Sequence, residues 1–368
     1  MKKEYRAFFF FSFYHIGGAE KVHAQIAQAT GGADTILFFT KKSDNNLFLD
    51  EFKNSGCRIV DISGFTGNKW LYFMNLIWRG VISGYINSQK QPPAVFNGQC
   101  NFAYKISPWL KKNIPQVELI HSFNTFSYIR IPFISFITRT VMISQKRIED
   151  HAVLYEKAGI PAAFLERIQY IPNAVRFPAV VKQKDPSAFT VVYVGRGGIE
   201  KRVPLVVEIA RRLHENNSNV QFEILGDVSN IIDASKYDYI RFHGNQHNPE
   251  LIHRIYERSN VLLLTSNTEG FPLVVIEAMS YGAAIIATPV GDIPRHVKSV
   301  TNGYIFSTID EEDKIIAEAV VFILKLRDDR QLLDKISENN RRYAGEHFTI
   351  EKFNHAYQNL FESVNKKN

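Results

Sequence analysis

The chain has 368 residues, of which 45% are hydrophobic and 22% are charged, so it holds enough apolar material for two globular domains and is neither a disordered chain nor a membrane bundle. The spacing of Cys57 and Cys100 argues against a disulfide scaffold or a zinc site and fits a reducing cytoplasm. Residues 1–175 carry 20 Lys and Arg against 12 Asp and Glu, whereas residues 176–368 carry 24 against 25. A basic first half fits an anionic partner, such as a phospholipid surface, a lipid pyrophosphate or nucleic acid, and it fits a merely solvated basic surface equally well. No RNA-binding or zinc-finger pattern in the sequence supports a nucleic-acid partner.

Apolar strand-like runs alternate with helical patterns along the first half, which predicts an α/β domain with a parallel sheet. The chain opens with basic residues and a phenylalanine run, but Glu4 interrupts the basic region and no cleavage-site pattern follows, so we expect a buried strand and not a signal peptide. The apolar segment from Lys69 to Ile86 contains Asn75 and Arg79 and is too interrupted to span a bilayer. The strands expected in this half are residues 6–14, 34–40, 57–62, 94–98, 117–123, 138–144 and 167–173.

A polar, proline-bearing stretch, residues 174–188, is the predicted linker. The alternation restarts after it, with a helix from Glu200 to Glu215 and a final helical region whose acidic start, Asp310 to Asp313, suits a first helical turn better than a metal site. Two similar halves predict two Rossmann-like domains facing a cleft, with ligands bound at the carboxyl ends of the strands. The strands expected in this half are residues 189–195, 220–226, 240–244, 261–266 and 283–289.

Two carboxylates, Glu269 and Glu277, stand in an otherwise apolar run. Pro272 suits the first position of a helix, so a helix is expected just after Gly270, with backbone amides at its end that suit phosphate or sugar oxygens. An ionised carboxylate inside such a helix needs a partner, and Glu277 could accept hydrogen bonds from the vicinal diol of a ribose. The alternative is that Glu277 bonds a buried backbone amide or an arginine, while Glu269 merely sits near the helix N-terminus.

A second stretch places Gly195 at the end of a strand, followed by Arg196 and Lys201 at a strand-to-helix junction. Glycines let a phosphate approach the backbone, and the two cations could neutralise a diphosphate. Glu200 stands where the dinucleotide fingerprint needs glycine, so that motif is excluded. Cations at a helix start are disfavoured by the helix dipole, which favours an anionic ligand over the alternative of a solvent-facing basic turn.

In the first half, Gly17 and Gly18 follow the first strand and precede a helix, and Glu20 falls in the first turn of that helix, where the dipole favours it. A glycine pair here indicates either a tight turn without a ligand or a turn whose amides face one. His121 lies near the end of the strand expected at 117–123. It is either a structural histidine or a residue at the ligand-binding edge of the sheet.

In this order, the stretches resemble the retaining GT-B glycosyltransferases, especially glycosyltransferase family 4. The resemblance covers nearly the whole chain and is strongest over residues 190–305, in "GR" with a lysine five positions later, "TEGFPLVVIEAMSYG", "TPVGD" and "NGYIF". The first half matches more loosely, through "GGAE", the strand-end histidine and "VMIS".

The resemblance implies four catalytic residues. Arg196 and Lys201 would bind the diphosphate of a nucleotide-sugar, Glu269 would contact the donor sugar and phosphate, and His121 would lie near the transferred sugar. Because no D-x-D triplet occurs, cationic side chains and no metal ion would stabilise the leaving diphosphate.

The resemblance also implies a set of nucleotide-sugar-binding residues. Glu277 would hold the ribose, and Gly17 and Gly18 would approach the diphosphate from the first domain. The remaining implied positions are Gly195, Gly270, Phe271, Pro272 and Leu273. Three positions depart from the family pattern and leave the loop geometry open, because Ala174, Arg202 and Asp292 stand where glycine is usual.

The resemblance further implies an N-terminal acceptor-side domain over 1–175, a C-terminal nucleotide-sugar-binding domain over 176–348 and a final helix over 349–368 that crosses back to the first domain. The expected activity is transfer of a sugar, from UDP-sugar first or GDP-sugar second, to a glycan acceptor that is lipid-linked in bacterial surface polysaccharide synthesis. No cofactor besides the donor substrate and no nucleic acid is expected. The alternatives are a sugar-nucleotide epimerase of the same fold or a non-catalytic nucleotide-sugar-binding subunit.

The expected location is the cytoplasm, with peripheral contact at the inner face of the plasma membrane. That contact depends on the basic first half and on two aromatic-rich segments, Lys69 to Ile86 and residues 126–139, which could dock on a membrane face or could be core helices.

Overall fold

The computed structural model describes residues 3–15, 17–67 and 71–365, and these residues form two compact α/β units. Unit 1 comprises Met1–Asn173 and Glu351–Asn368, and unit 2 comprises Ala174–Ile350. Lys69, the predicted start of the apolar segment, lies outside the described residues.

Unit 1 is built on a parallel sheet because its apolar runs are buried on both faces, as in sheets covered by helices on each side. All five residues of its first strand, AFFFF, are buried. The seven expected strands are confirmed within the described residues; β4 has the predicted bounds and the others are shorter than the predicted runs. They are β1 (Ala7–Phe11), β2 (Thr35–Phe39), β3 (Arg58–Asp61), β4 (Ala94–Gly98), β5 (Gln116–Ile120), β6 (Arg139–Met142) and β7 (Ile168–Tyr170). Their order is β3-β2-β1-β4-β5-β6-β7.

Helices connect these strands, and α1 and α5 bury apolar side chains. They are α1 (Gly18–Thr30), α2 (Leu49–Lys53), α3 (Ser63–Thr66), α4 (Tyr72–Asn87), α5 (Asn101–Ile106), α6 (Thr125–Ile129) and α7 (Gln145–Lys157). The second aromatic-rich segment, residues 126–139, folds mainly as α6 and a short 3₁₀ helix, Ile131–Phe136. Arg130, in its middle, is fully buried and paired with Glu118, although Tyr128 and Phe136 are exposed.

Unit 2 has a second parallel sheet, whose five expected strands are confirmed and to which a sixth is added. The strands described are β8 (Thr190–Val194), β9 (Gln221–Leu225), β10 (Ile240–Phe242), β11 (Val261–Leu264), β12 (Ala284–Ala287) and β13 (Gly303–Ile305), in the order β10-β9-β8-β11-β12-β13. Sequence analysis did not predict β13, which has three residues and begins at a glycine with φ +151°. A Cβ on Gly303 would lie 1.9 Å from the carbonyl oxygen of Ile285 on β12, so this pairing needs glycine.

The helices of the rest of the chain are α8 (Val203–Glu215), α9 (Pro249–Arg258), α10 (Leu273–Ser280), α11 (Ile293–His296), α12 (Glu312–Asp328), α13 (Arg330–His347) and α14 (Ile350–Asn365). The residues of α14 from Glu351 onward belong to unit 1. Phe361 of α14 packs on Phe9 and Phe96, with ring centroids 5.4 and 5.7 Å apart. In the part of the chain that the structure describes, no helix is both long and apolar enough to cross a bilayer.

The strand order reverses direction once in each sheet. In unit 1 the first strand, β1, lies between β2 and β4, and in unit 2 the first strand, β8, lies between β9 and β11. At such a switch point the connections leave toward opposite faces, so the carboxyl ends of the two central strands border a crevice where α/β proteins bind ligands. The predicted site residues follow β1, β8 and β11, and the histidine follows β5.

Candidate active site

Lys201 and Glu269 meet at the switch point of unit 2. Lys201 ends a 3₁₀ turn, Ile199–Lys201, that follows β8, and Glu269 lies in the loop after β11. The lysine Nζ is 2.6 Å from Glu269 Oε1, and the two side chains are 22% and 10% exposed. A largely desolvated ion pair at this position places one positive and one negative group beside the crevice, where both can act on a polar ligand.

The turn that carries Lys201 is held by its neighbour, Arg202. Arg202 has φ +48°, in the left-handed region that favours glycine, which explains why glycine is usual there. The arginine adopts it while donating from Nε to the carbonyl of Thr265 at 2.7 Å and from Nη1 to that of Ile309 at 2.6 Å. The Thr265 hydroxyl in turn donates to the carbonyl of Lys201 at 3.0 Å. Arg202 therefore holds the left-handed backbone conformation through its side-chain hydrogen bonds, where a glycine would adopt it freely.

Arg196 faces solvent with its side chain 80% exposed and its Nη2 3.2 Å from Glu200 Oε1. The loop that carries it is packed closely, since a Cβ on Gly226 would lie 2.1 Å from the carbonyl oxygen of Gly195. The backbone N–H of Gly197 donates to the backbone carbonyl of Asp227 at 2.7 Å. Sequence analysis expected Arg196 and Lys201 to need an anionic ligand; in the structure protein carboxylates already pair with both.

The segment Glu269–Gly270 is held by a second loop. The backbone N–H of Asp292 donates to the carbonyl of Gly270 at 2.8 Å, and a Cβ on Gly291, at φ +58°, would lie 2.1 Å from the same oxygen. Asp292 supplies this bond through its backbone, so its replacement of a glycine leaves the turn intact. Its carboxylate is buried, with Arg295 Nε 3.6 Å away.

Phe271 is buried, with its ring 4.3 Å from that of His296 and 5.2 Å from that of Phe348. Its side chain therefore packs in the core, and the backbone amide is the part of Phe271 suited to a ligand. Pro272 was expected at the first helical position, and that prediction is wrong by one residue. Pro272 has an extended ψ of 139° and is the N-cap, so α10 begins at Leu273.

Tyr256, on α9, is one of the partners of Glu277. The tyrosine hydroxyl donates to Glu277 Oε2 at 2.7 Å and is itself buried. Burial and the Glu277 carboxylate raise the pKa of Tyr256 well above its ordinary value, so the hydroxyl keeps its proton and remains a donor. Tyr281 stacks on Tyr256 with centroids 5.5 Å apart. One carboxylate oxygen is thus oriented from within the fold, by a residue that sequence analysis missed.

In unit 1 the glycine pair opens α1. Gly17 is the N-cap, and a Cβ there would lie 2.2 Å from Oε2 of Glu20, so this glycine makes room for the carboxylate. A Cβ on Gly18 would meet no described atom within 4 Å, so space for a ligand remains on that side.

His121 directly follows β5, and its Nε2 lies 2.9 Å from Nε2 of His23, on α1. Burial lowers the pKa of His121 to about 4, so the ring is neutral at neutral pH. Sequence analysis did not single out His23. It lies in a helical segment 98 residues before His121, and nothing in the local sequence indicates that the two side chains meet.

Within the described residues, no group of three or more His, Cys, Asp or Glu side chains is arranged to hold a metal ion. Lys201 lies in the turn after β8, Glu269 and Gly270 lie in the loop after β11, Leu273 and Glu277 lie on α10, and Arg196 lies on an exposed loop. Gly17, Gly18 and His121 lie at the carboxyl ends of β1 and β5 in unit 1.

Comparison with protein-family models matches residues 179–343 to glycosyl transferases group 1. Among named relatives, N-acetyl-alpha-D-glucosaminyl L-malate synthase from Bacillus anthracis is 31% identical over 127 residues, covering 34% of this chain and 31% of that protein. Lipopolysaccharide 1,6-galactosyltransferase from Escherichia coli is 32% identical over 132 residues, covering 33% and 36%. The alignments thus span about a third of the length of these relatives.

Among solved structures, that of Anabaena HepE in complex with UDP and glucose aligns with a TM-score of 0.74 and 16% sequence identity. The alignment covers 98% of this chain and 100% of that one. An alignment over both full lengths at this score shows a shared fold.

Proposed function

Residues 179–343 form a glycosyl transferases group 1 domain within a GT-B fold, and we propose that the chain is a retaining, metal-independent glycosyltransferase that uses a nucleotide-sugar donor. The observation that carries the proposal is the Lys201–Glu269 pair at the switch point of unit 2, where doubly wound sheets bind nucleotides. UDP-sugar is the first choice of donor and GDP-sugar the second; the solved HepE complex contains UDP and glucose.

The chemistry follows from where charge develops. As the anomeric C–O bond breaks, negative charge builds on the departing diphosphate, and the ammonium of Lys201 stabilises it in a site that excludes water. Glu269 holds that ammonium in place at 2.6 Å, and the exposed guanidinium of Arg196 is open to the same diphosphate. Glu277, oriented by Tyr256, accepts hydrogen bonds from the ribose hydroxyls.

The acceptor is a lipid-linked saccharide, and support for this comes from an uncharged face of α4. We define the α4 face as Phe73, Leu76, Ile77, Gly80 and Val81, all exposed, with Phe73 at 71% and Val81 at 56%. Arg79, the charged residue of α4, is buried. A surface helix with an apolar outer face is typical of contact with a membrane or a partner.

Exposed lysines lie near α4 and near α3. Lys111 donates its backbone N–H to the side chain of Asn87, the last residue of α4, at 2.9 Å, and Lys112 follows it. Lys41 and Lys42 are also exposed, and their backbone lies within 4 Å of a Cβ built on Gly67, the C-cap of α3. Apolar side chains near clusters of positive charge suit an anionic bilayer surface, where lipid-linked acceptors reside. We therefore propose that the protein binds the inner face of the plasma membrane as a peripheral protein.

Thermal unfolding with UDP, GDP, ADP and dTDP tests nucleotide binding. A nucleotide that binds the folded state alone, at about 100 times its Kd, stabilises it by about 2.7 kcal/mol. UDP should raise Tm in the wild type and much less in Glu277→Ala. The matched control is Glu215→Ala, which removes an exposed carboxylate at the far end of α8 and should respond to UDP like the wild type.

Incubation with labelled UDP-sugars and membrane extract then tests the reaction. A glycosyltransferase moves label into lipid-linked product only when the extract is present. Conversion of the free UDP-sugar without extract would identify an epimerase, and binding without either change would identify a non-catalytic subunit; each result would overturn the proposal.

A further inference from the structure

His23 and His121 form a hydrogen-bonded pair within unit 1. Their Nε2 atoms are 2.9 Å apart, and their ring centroids are 4.9 Å apart at an interplanar angle of 60°. His23 lies on α1, which begins at the glycine pair, and His121 lies at the carboxyl end of β5. The pair therefore links the helix after β1 to His121, which the family resemblance implies lies near the transferred sugar.

The ring of His23 is fixed on its other sides. It stacks on Phe11 of β1, with centroids 4.5 Å apart and an interplanar angle of 21°, and is buried. At the end of β4, Gly98 makes room for both rings, since a Cβ there would lie 2.9 Å from His23 Nε2 and 2.4 Å from Phe11 Cδ1. The His23 ring is therefore packed between Phe11 and His121, beside Gly98.

A bond between two ring nitrogens needs one proton, and the question is which histidine carries it. Burial lowers the pKa of both rings, and each is neutral at neutral pH. Nδ1 of His23 is buried without a hydrogen-bond partner. If the His23 proton were on Nδ1, a buried N–H would be orphaned, whereas a bare lone pair there is less costly. His23 therefore donates from Nε2 to Nε2 of His121, and the proton of His121 is on Nδ1.

We propose that His23 is a positioning residue that holds His121 in the Nδ1–H tautomer. His121 then offers the transferred sugar a fixed N–H donor and no basic nitrogen. In this arrangement His121 stabilises an oxygen of the sugar and does not take the proton of the acceptor. The inference about the tautomer stands on the geometry of the pair, and its consequence for the sugar rests on the proposed function.

NMR of the full chain labelled with ¹⁵N-histidine tests the tautomer directly, since long-range ¹H–¹⁵N spectra distinguish protonated from bare ring nitrogens. The His121 signals are assigned by their loss in His121→Gln. At neutral pH, His121 should show a protonated Nδ1 and a bare Nε2; a protonated Nε2, or an average of both forms, would overturn the proposal.

Variants of His23 test the cause. In His23→Leu the His121 nitrogens should average between the two tautomers, whereas in His23→Gln the side-chain amide can still donate to Nε2 and the wild-type pattern should persist. His355→Gln, which changes an exposed histidine on α14, is the control and should leave the His121 signals unchanged.

Kinetics test the consequence. His23→Leu should lower kcat by about tenfold or more, the scale on which residues behind a functional histidine act, while KM for the donor stays near that of the wild type. His23→Gln should recover most of kcat. Wild-type turnover in His23→Leu would remove the positioning role. If no nucleotide-sugar is turned over by the wild type, the proposed function fails, while the NMR result still decides the tautomer.

Discussion

Lys201 and Glu269 lie 68 residues apart in the sequence and form an ion pair of 2.6 Å at the point where the strand order of unit 2 reverses. The pair joins the turn after β8 to the loop after β11. Its lysine is therefore held by a carboxylate before any ligand arrives. Preorganisation of this kind is what makes a charge effective in catalysis, because no side chain has to be reoriented as the reaction proceeds.

Lys201→Met tests this role, because methionine keeps most of the length of the side chain and removes its charge. We expect kcat for sugar transfer to fall by about 100-fold or more, as when one preorganised donor is removed from an active site. Stability should fall by about 1–3 kcal/mol, because Glu269 loses a charged partner in a largely buried position.

Arg258→Met is the control for this loss of stability. Arg258 pairs with the buried Glu223 at 2.6 Å, in unit 2 but on α9 and away from the switch point. Both variants should unfold earlier in urea, but only Lys201→Met should lose turnover. Equal activity in the two would show that Lys201 has a structural role alone.

Tyr256→Phe should weaken UDP binding without removing Glu277. The variant deletes the hydroxyl that donates to Glu277 Oε2 at 2.7 Å, so the carboxylate is no longer oriented toward the ribose. One hydrogen bond contributes about 1 kcal/mol, so Kd measured by calorimetry should rise about fivefold. Tyr281→Phe removes a neighbouring hydroxyl that bonds His253 and should leave Kd unchanged. Unchanged affinity in Tyr256→Phe would separate Glu277 from nucleotide binding.

The sequence was sufficient to predict the two sheets, because strands buried on both faces appear as short, continuous apolar runs between polar turns. It also singled out Glu269, Glu277 and Lys201 as candidate site residues, an assignment that stays a prediction. These residues stand out locally, as charges inside apolar surroundings or next to glycines.

The sequence could not predict the partners of these residues. Tyr256 and His23 lie on helices and look like ordinary core residues, and they become recognisable only when the fold brings them to 2.7 and 2.9 Å from Glu277 and His121. The strand β13 was missed because three residues show no periodicity. The start of α10 was misplaced by one residue because proline fits both the N-cap and the first helical position. The extended ψ of Pro272 makes it the N-cap, and a ψ cannot be predicted from the sequence.

Charged substitutions on the α4 face should abolish membrane binding and leave the fold intact. Ile77→Glu combined with Val81→Glu places two charges on exposed positions, so no core packing is lost. Cosedimentation with vesicles of phosphatidylglycerol and phosphatidylcholine should fall to background, since the carboxylates would have to enter the bilayer interface. Val321→Glu, at a 60% exposed position on α12, is the matched control and should bind like the wild type. Full binding by the double variant would rule out this face.

Arg130→Met should destabilise unit 1 strongly. Arg130 and Glu118 are fully buried, and Arg130 Nε donates to Glu118 Oε2 at 3.0 Å. Tyr104 donates to the same carboxylate at 2.7 Å. Removing the arginine leaves a buried charge unpaired, at a cost of about 3–5 kcal/mol. All three tryptophans of the chain fall within residues 1–173, so urea unfolding followed by their fluorescence reports this unit.

The double variant Glu118→Leu, Arg130→Met is the internal control, because it removes both charges together and should be more stable than Arg130→Met alone. If the single variant unfolds like the wild type, the ion pair contributes nothing to unit 1.

Acid should destabilise unit 1 through His151, on α7. The ring is fully buried, and its Nδ1–H donates to the carbonyl of Arg147 at 2.7 Å. Burial lowers the pKa of His151 to about 4, whereas an unfolded histidine titrates at about 6.5. Protons therefore bind the unfolded chain first. The contribution of His151 to stability is complete above pH 6.5 or so and declines as the pH falls toward 4, by up to about 1.4 kcal/mol per pH unit.

His151→Leu should flatten this dependence, because the variant has no proton to gain at that position. The free energy of unfolding is measured by urea and tryptophan fluorescence between pH 7 and pH 4.5 or so. It should fall less steeply in the variant, because unfolding of the variant takes up about one proton fewer than unfolding of the wild type. His355→Leu removes an exposed histidine of α14, whose ring stays hydrated in the folded state, and should retain the wild-type slope. If His151→Leu and the wild type lose stability in parallel, His151 does not contribute to the acid sensitivity of this unit.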